Sequence, residues 1–340
     1  MGSLTRVVVA SVAGLTVLAG SASAQSLDAF YRTHSLNIIV GTEPGGGYGV
    51  YSRLLARFLP PRLPGEPEAV VQYMPGASGR RAAEYLYTVA PRDGSVIGTI
   101  EQNIPTTQVI AQENVRFDVR DFNYLGNLAP TVSTVVVWHT TGVRSIEDAK
   151  TRELVIGATG VTGTTKVFAK LVNDIVGTKF RVVPGYKSGT DLDLAMQRGE
   201  IDGRASYAWA SLKSGHPDWL RDGKVNILLQ IGLRKSPDLS EVPLLLDYAS
   251  SNADRDIVRL FSASLDLGRV FLAPPQVPGD RLAALRKAFD GAVADPEFRA
   301  EAAKLGVDVT PINGHEVQRI IAALTSTSPE VVARARAYLD

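Results

Sequence analysis

Residues 36–59 constrain this chain more than any other stretch. Leu36-Asn37-Ile38-Ile39-Val40 is a short apolar run rich in β-branched residues, which reads as a buried strand. Pro44 lacks the N–H that a central strand needs, so the strand ends before it. Gly45, Gly46 and Gly47 let the backbone turn sharply and leave its N–H groups uncovered by side chains. Tyr48 and Gly49 lead into a helix with Val50, Leu54 and Phe58 at helical spacing, stopped at Pro60-Pro61. A strand, a bare loop and a helix N-terminus can hold an anion, because the first helical N–H groups have no internal partner and the macrodipole favours negative charge there. A tight strand-to-helix turn without any ligand carries the same residues, so both readings stay open here.

The pattern repeats along the chain. Residues 69–73 read as a second strand, followed by the loop Pro75-Gly76-Ala77-Ser78-Gly79 and a helix stopped by Pro91. Residues 96–100 are a third strand, with Glu101, Gln102 and Asn103 just beyond it. Strands followed by short loops and helices predict a parallel sheet with right-handed crossovers, whose ligands sit beyond the carboxyl ends of the strands. A second series begins with strands at 132–138 and 154–158. The loop Thr159-Gly160-Val161-Thr162-Gly163-Thr164-Thr165-Lys166 then opens a helix with Val167, Leu171 and Ile175 on one face. Further strands are read at 180–183, 201–207 and 225–233, and a strand at 269–273 precedes a mostly helical tail. Two such series, with the chain crossing twice between them, predict a hinged α/β fold of two lobes, each a mostly parallel sheet flanked by helices. The expected divisions are residues 25–131 for the first part of lobe 1, 132–262 for lobe 2, and 263–340 for the return to lobe 1.

Composition narrows the partners. The formal charge is +1 and no basic stripe with interleaved aromatics occurs, which argues against nucleic acid. The absence of cysteine removes a disulfide framework, a thiolate nucleophile and a lipidated cysteine anchor. Residues 1–24 read as a cleavable leader: Arg6 is their only charge, residues 7–20 are small and apolar, and Ala22-Ser23-Ala24 is a small-residue cleavage pattern. Export with cleavage after Ala24 is expected.

Several chemistries are excluded by spacing. The glycines at 157, 160 and 163 match neither a P-loop nor a dinucleotide fingerprint, so no nucleotide cofactor is expected. His34, His139, His216 and His315 lack metal-ligand spacing. Ser78 lacks the nucleophile elbow of serine hydrolases. The hydroxyls of Thr162, Thr164 and Thr165 suit a small carboxylate as donors beside free helix N–H groups. Lys166 is either a ligand contact or a surface lysine. Tyr186 and Arg204 stand near strand ends, with Ser206 on the same strand as Arg204. Arg204 would clamp a carboxylate in bidentate fashion or pair with Asp202 or another surface acid. Arg204→Ala and Thr164→Ala are expected to weaken carboxylate binding while leaving the thermal stability of the unliganded protein nearly unchanged.

These segments, in their order, resemble the periplasmic solute receptors of tripartite tricarboxylate transporters, the Bug or TctC-like family. The resemblance runs over residues 36–324. It rests on Pro44-Gly45-Gly46, Met74 to Gly79, Ala90-Pro91-Arg92-Asp93-Gly94-Ser95, Asp121 to Gly126, Gly160 to Lys166, Gly185 to Gly189 with Gly199-Glu200-Ile201-Asp202, and Phe271 to Pro278. It implies a two-lobed Venus-flytrap receptor of the type II periplasmic-binding-protein class. Such a receptor is a monomer without enzymatic activity that closes on a small mono- or dicarboxylate and hands it to a membrane permease. It also implies that the loops 45–49 and 160–166 hold the ligand carboxylate. A ligand-sensing subunit for a membrane sensor kinase would use the same site, and a periplasmic hydrolase is a third reading. Two departures matter. Many members carry Asp where this chain has Gly49, so a ligand ammonium is expected to find no counter-charge in the first loop, and mono- or dicarboxylates lacking an α-amino group are expected to be preferred over amino acids. Lys166 replaces a frequent His and Arg204 adds a cation, which together favour a more anionic ligand.

Overall fold

The computed structural model describes Gly2 and residues 26–44, 46–111, 115–159 and 163–339. Apart from Gly2, the expected leader and its cleavage point lie outside the described residues.

From the N-terminal side the elements are α1 (Leu27–Thr33), β1 (Leu36–Val40), α2 (Gly46–Phe58), β2 (Ala69–Tyr73), α3 (Arg80–Thr88), β3 (Val96–Thr99), α4 (Ile104–Ile110) and β4 (Asn123–Asn127). There follow β5 (Ser133–Trp138), α5 (Asp148–Thr151), β6 (Glu153–Ala158), α6 (Thr164–Val176), β7 (Lys179–Pro184), α7 (Gly189–Gln197), β8 (Gly203–Ala208), α8 (Trp209–Gly215), α9 (Pro217–Arg221) and β9 (Val225–Ile231). The chain closes with α10 (Asn252–Asp266), β10 (Val270–Ala273), α11 (Gly279–Ala294), α12 (Pro296–Lys304), β11 (Ile312–Asn313), α13 (Gly314–Thr325) and α14 (Pro329–Leu339).

The strands form two sheets, ordered β11-β4-β10-β3-β1-β2 and β7-β6-β8-β5-β9. Each has a parallel run, β2-β1-β3 in the first and β7-β6-β8 in the second. Each run is bordered by an antiparallel strand, β10 or β5. The reason is connectivity. The chain leaves the first sheet after β4 and enters the second at β5; it leaves the second after β9 and re-enters the first at β10. A strand entering a sheet from the shared edge must run opposite to the strands that end there. The two crossings lie side by side. Leu128 N–H donates to Arg269 O at 3.0 Å, and Thr131 N–H donates to Leu265 O at 2.8 Å.

Both faces of the first sheet are buried, with the alternation a pleated strand imposes. Leu36, Ile38, Ile97, Leu125 and Phe271 face a core completed by α2, α11 and α12. Ile39, Val96, Tyr124 and Leu272 face the opposite core with α3 and α13. In the second sheet Val135, Val137, Leu154 and Ile156 pack against α6 and α10, while Val136, Tyr207 and Val225 pack against α7 and α9. The strands within 263–340 join the first sheet, but Ala335 and Tyr338 of the last helix are buried in the second sheet's core. Among the described residues no helix is long and apolar enough to cross a membrane.

Candidate functional site

A cleft of about 690 Å³ opens where the two sheets face each other, a volume ordinary for a small-ligand site. From the first sheet it is lined by Glu43, Gly46, Gly47 and Tyr48, by Glu101, Gln102 and Asn103, and by Arg269 at the entry to β10. From the second it is lined by Ser133, Thr159, Gly163, Thr164, Ser188, Arg204 and Ser206, with Asp193, Tyr207 and His216 behind them.

The first wall is built on α2. Its opening turn carries Gly47, and a Cβ there would stand 2.6 Å from a guanidinium nitrogen of Arg269, so glycine is what lets that side chain lie over the backbone. Arg269 is 8% exposed. Its guanidinium stacks 4.5 Å from the Tyr48 ring centroid and donates from one terminal nitrogen to Gly268 O at 2.6 Å. Its Nε is buried with no hydrogen-bond partner, and among the described residues no carboxylate pairs with it. The Tyr48 hydroxyl accepts the Gln102 N–H at 2.8 Å, which ties α2 to the loop after β3. Burial pushes the Tyr48 phenol up to about 12. Burial also pushes the Glu101 carboxyl up to about 7.

The second wall carries hydroxyls at the uncapped N-terminus of α6. Ser206 Oγ lies 3.2 Å from Thr164 Oγ1 and 3.2 Å from Ser133 Oγ, a row of three hydroxyls along the cleft. Behind it Arg204, also 8% exposed, pairs with the buried Asp193 at 2.9 Å and donates to Gly189 O and Ser206 O. Asp193 further accepts the Tyr207 hydroxyl at 2.9 Å and stands 3.2 Å from His216 Nε2.

Of the residues singled out from sequence, the structure brings Gly46, Gly47, Tyr48, Gln102, Asn103, Gly163, Thr164, Arg204 and Ser206 together around the cleft. Pro44, Gly49, Thr165, Lys166 and Tyr186 do not line it. Thr165 is turned inward, where its Oγ1 accepts the Thr159 N–H at 3.0 Å and steadies the loop's two ends. Lys166 is buried within α6. Tyr186 packs against the core of the second sheet. Gly45, Thr162 and the Ser78 side chain lie outside the described residues.

Three expectations change. Arg204 does pair with an acid, but the acid is the buried Asp193, so its removal would strand that carboxylate and its cost to stability is not small. The cationic bias drawn from Lys166 and Arg204 passes to Arg269, which the sequence reading placed at the head of a strand and did not count in the site. Glu43 and Glu101 both line the cleft, so carboxyl groups are present there despite Gly49. Gly49 itself is buried, and a Cβ on it would stand 2.3 Å from Pro44 O, so no side chain fits without moving the backbone.

Arg269, Thr131 and Ser133 escaped the sequence reading for one reason. They sit at the beginnings of antiparallel strands or in the crossing before one, whereas the parallel-sheet pattern points to strand carboxyl ends. An arginine heading an apolar strand that returns from the other lobe was the available signal.

The model of the tripartite tricarboxylate transporter family receptor, TctC, matches residues 65–335. No curated protein matches the chain. Among solved structures, a TctC solute-binding protein from Polaromonas is 18% identical with a TM-score of 0.63, covering 91% of this chain and 98% of its own. MatC from Rhodopseudomonas palustris, solved with bound malate, is 17% identical with a TM-score of 0.63, covering 91% and 99%. A second Rhodopseudomonas palustris protein, solved with adipate, is 19% identical with a TM-score of 0.68, covering 90% and 98%. At these identities the likeness shows the fold, which is that of periplasmic binding proteins.

Proposed function

The chain belongs to the tripartite tricarboxylate transporter receptor family, and on that premise we propose that it is a periplasmic receptor for a small mono- or dicarboxylate, which it delivers to the membrane permease of such a transporter. Residues 1–24 are its leader, 25–131 with 263–340 one lobe, and 132–262 the other. The observation that carries the reading is Arg269: a buried guanidinium with an unpartnered Nε, laid over the first turn of a helix that faces the cleft. A buried cation without an acid is costly, and an anionic ligand relieves that cost. The malate and adipate held by relatives of the same fold are in keeping with this chemistry.

In this reading the ligand carboxylate sits between the first turns of α2 and α6, against Gly46, Gly47, Gly163 and Thr164, with Arg269 as its counter-ion. Tyr48, Gln102, Asn103 and Ser206 hold the rest of the ligand. Contacts on both walls make closure a population shift, since the ligand binds the closed arrangement better than the open one. Micromolar affinity corresponds to about −8 kcal/mol. Three to five charge-assisted hydrogen bonds at about 1.5–3 kcal/mol each reach that before the costs of association. Binding of this kind needs no covalent step.

Mass spectrometry of ligand retained through native purification, followed by calorimetry with that compound on stripped and refolded protein, tests the proposal. An organic acid recovered at stoichiometric amount and binding at micromolar concentration is expected. A non-anionic solute recovered instead, or steady turnover of the bound compound, would overturn it.

A further inference from the structure

We infer that Glu101 and the amide oxygen of Gln102 form an acceptor subsite that makes the cleft select carboxylic acids bearing a hydroxyl or ammonium donor over their unsubstituted partners. The inference rests on the carboxylate-receptor reading above.

The two residues are held in place by their surroundings. Ile104 N–H donates to Glu101 O at 3.0 Å, closing the turn between β3 and α4. The Glu101 stem packs against Gly79, where an added Cβ would meet its Cγ at 2.9 Å. The Gln102 N–H is held by the Tyr48 hydroxyl. Both side chains reach the cleft. Gln102 Oε1 is buried with no hydrogen-bond partner, and burial alone accounts for the raised pKa of the Glu101 carboxyl, with no hydrogen bond or charge offsetting it. The same wall thus carries an unsatisfied buried acceptor, Gln102 Oε1, and a half-buried carboxyl, Glu101, together with an unsatisfied donor, Arg269 Nε, with the Tyr48 ring packed against that guanidinium. Glu101 and Arg269 form no ion pair with each other, so neither satisfies the other. A ligand that presents a carboxylate to Arg269 and an O–H or N–H to Glu101 and Gln102 completes both sets. An unsubstituted acid completes one and leaves Gln102 Oε1 buried and unpaired, the condition under which sites reject analogues most strongly.

The other charged and titratable groups on this wall of the cleft are Tyr48 and Tyr51 of α2, Glu43 from the loop after β1 and Arg269, the residue before β10; Asp193, Arg204, Tyr207 and His216 line the opposite wall. A donor on the ligand stabilises the ionised form of Glu101, so binding at pH 7 releases part of a proton. An unsubstituted acid gives no such release.

The test uses the stripped mature protein and matched sets: succinate, malate and aspartate; glutarate, 2-hydroxyglutarate and glutamate. Calorimetry in two buffers of different ionisation enthalpy gives affinity and proton release together. In a set that binds, at least one donor-bearing member should bind about tenfold or more tighter than the unsubstituted acid. Glu101→Ala should reduce that ratio to about threefold or less while leaving the unsubstituted acid's affinity near wild type. Glu101→Gln keeps an amide oxygen and the shape. It should abolish proton release, and if ammonium is the preferred donor it should lower amino-acid affinity more than hydroxy-acid affinity. Equal or tighter binding of the unsubstituted acid by wild type would overturn the inference and leave the receptor reading standing. So would an unchanged ratio in both variants. Absence of binding by any organic acid would overturn both.

Discussion

Two arginines face this cleft from opposite walls, and they differ in one respect. Arg204 and Arg269 are equally buried, each stacks on a tyrosine (Tyr207 at 4.1 Å and Tyr48 at 4.5 Å), and each has a buried Nε without a partner. Arg204 has Asp193; among the described residues Arg269 has no acid. The same side chain in similar burial is therefore wall structure on one side and an open electrostatic demand on the other. What separates them is the neighbouring chain. Helix α7 brings Asp193 beside β8, whereas β10 enters its sheet beside the glycine-rich start of α2, which carries no acid against Arg269.

The comparison breaks most completely if Arg204 is made like Arg269. Asp193→Ala leaves a buried guanidinium without its acid and should cost about 3–5 kcal/mol of unfolding free energy, measured by urea melts of the unliganded protein. Added organic anion should recover part of that loss. Arg269→Ala should do the reverse: little change or a small gain in unliganded stability, and a loss of about 1.5–3 kcal/mol in carboxylate affinity by calorimetry. Unaltered affinity would remove Arg269 from the site.

Gly49→Asp sharpens the argument about the first wall. With Pro44 O at 2.3 Å from the new Cβ, the start of α2 must shift, and a loss of about 1–3 kcal/mol in stability is expected together with weakened binding. A melting temperature equal to wild type would show that the turn yields more easily than its packing implies.

Glu101 makes the same wall pH-sensitive. Burial raises its folded pKa from the ordinary 4.5 to about 7, so between those values the folded chain holds a proton that the unfolded chain releases. Stability from this group is full below about 4.5, declines as pH rises, and is gone above about 7. Relative to Glu101→Gln, the unliganded wild type should lose about 2–3 kcal/mol between pH 4.5 and 7.5 in parallel urea melts. A pH-independent difference would show that the carboxyl is well solvated.

The smallest effect concerns the rim. Lys213 of α8 lies 3.4 Å from Asp308, whose backbone oxygen accepts the Tyr51 hydroxyl of α2, so this pair links the two walls outside the cleft. Lys213 is half-buried and Asp308 exposed, and Lys213→Ala should cost about 0–1 kcal/mol, read as a modest rise in ligand Kd through an increased off-rate.

Much of the fold was legible because it rests on local signals. The strand at residues 36–40 and the helix after Gly45–Gly47 follow from apolar period, proline and glycine, which act on near neighbours. Elements whose burial depends on distant partners were not legible. Helix α10 carries Asp254, Arg255, Asp256 and Arg259 among its apolar residues, and only the second sheet and α14 show which face is inside.

The candidate site divides in the same way. Sequence alone determined the two loop-to-helix turns, the hydroxyls of the second loop and the family order of segments, because each is a short stretch whose backbone chemistry is set by its own residues. Tertiary structure alone decided the charges. Whether a given arginine, lysine or glutamate meets an acid, a ring or a ligand depends on strands far apart in sequence. It depends above all on the direction in which β5 and β10 enter their sheets, since that direction carries Arg269 to the cleft.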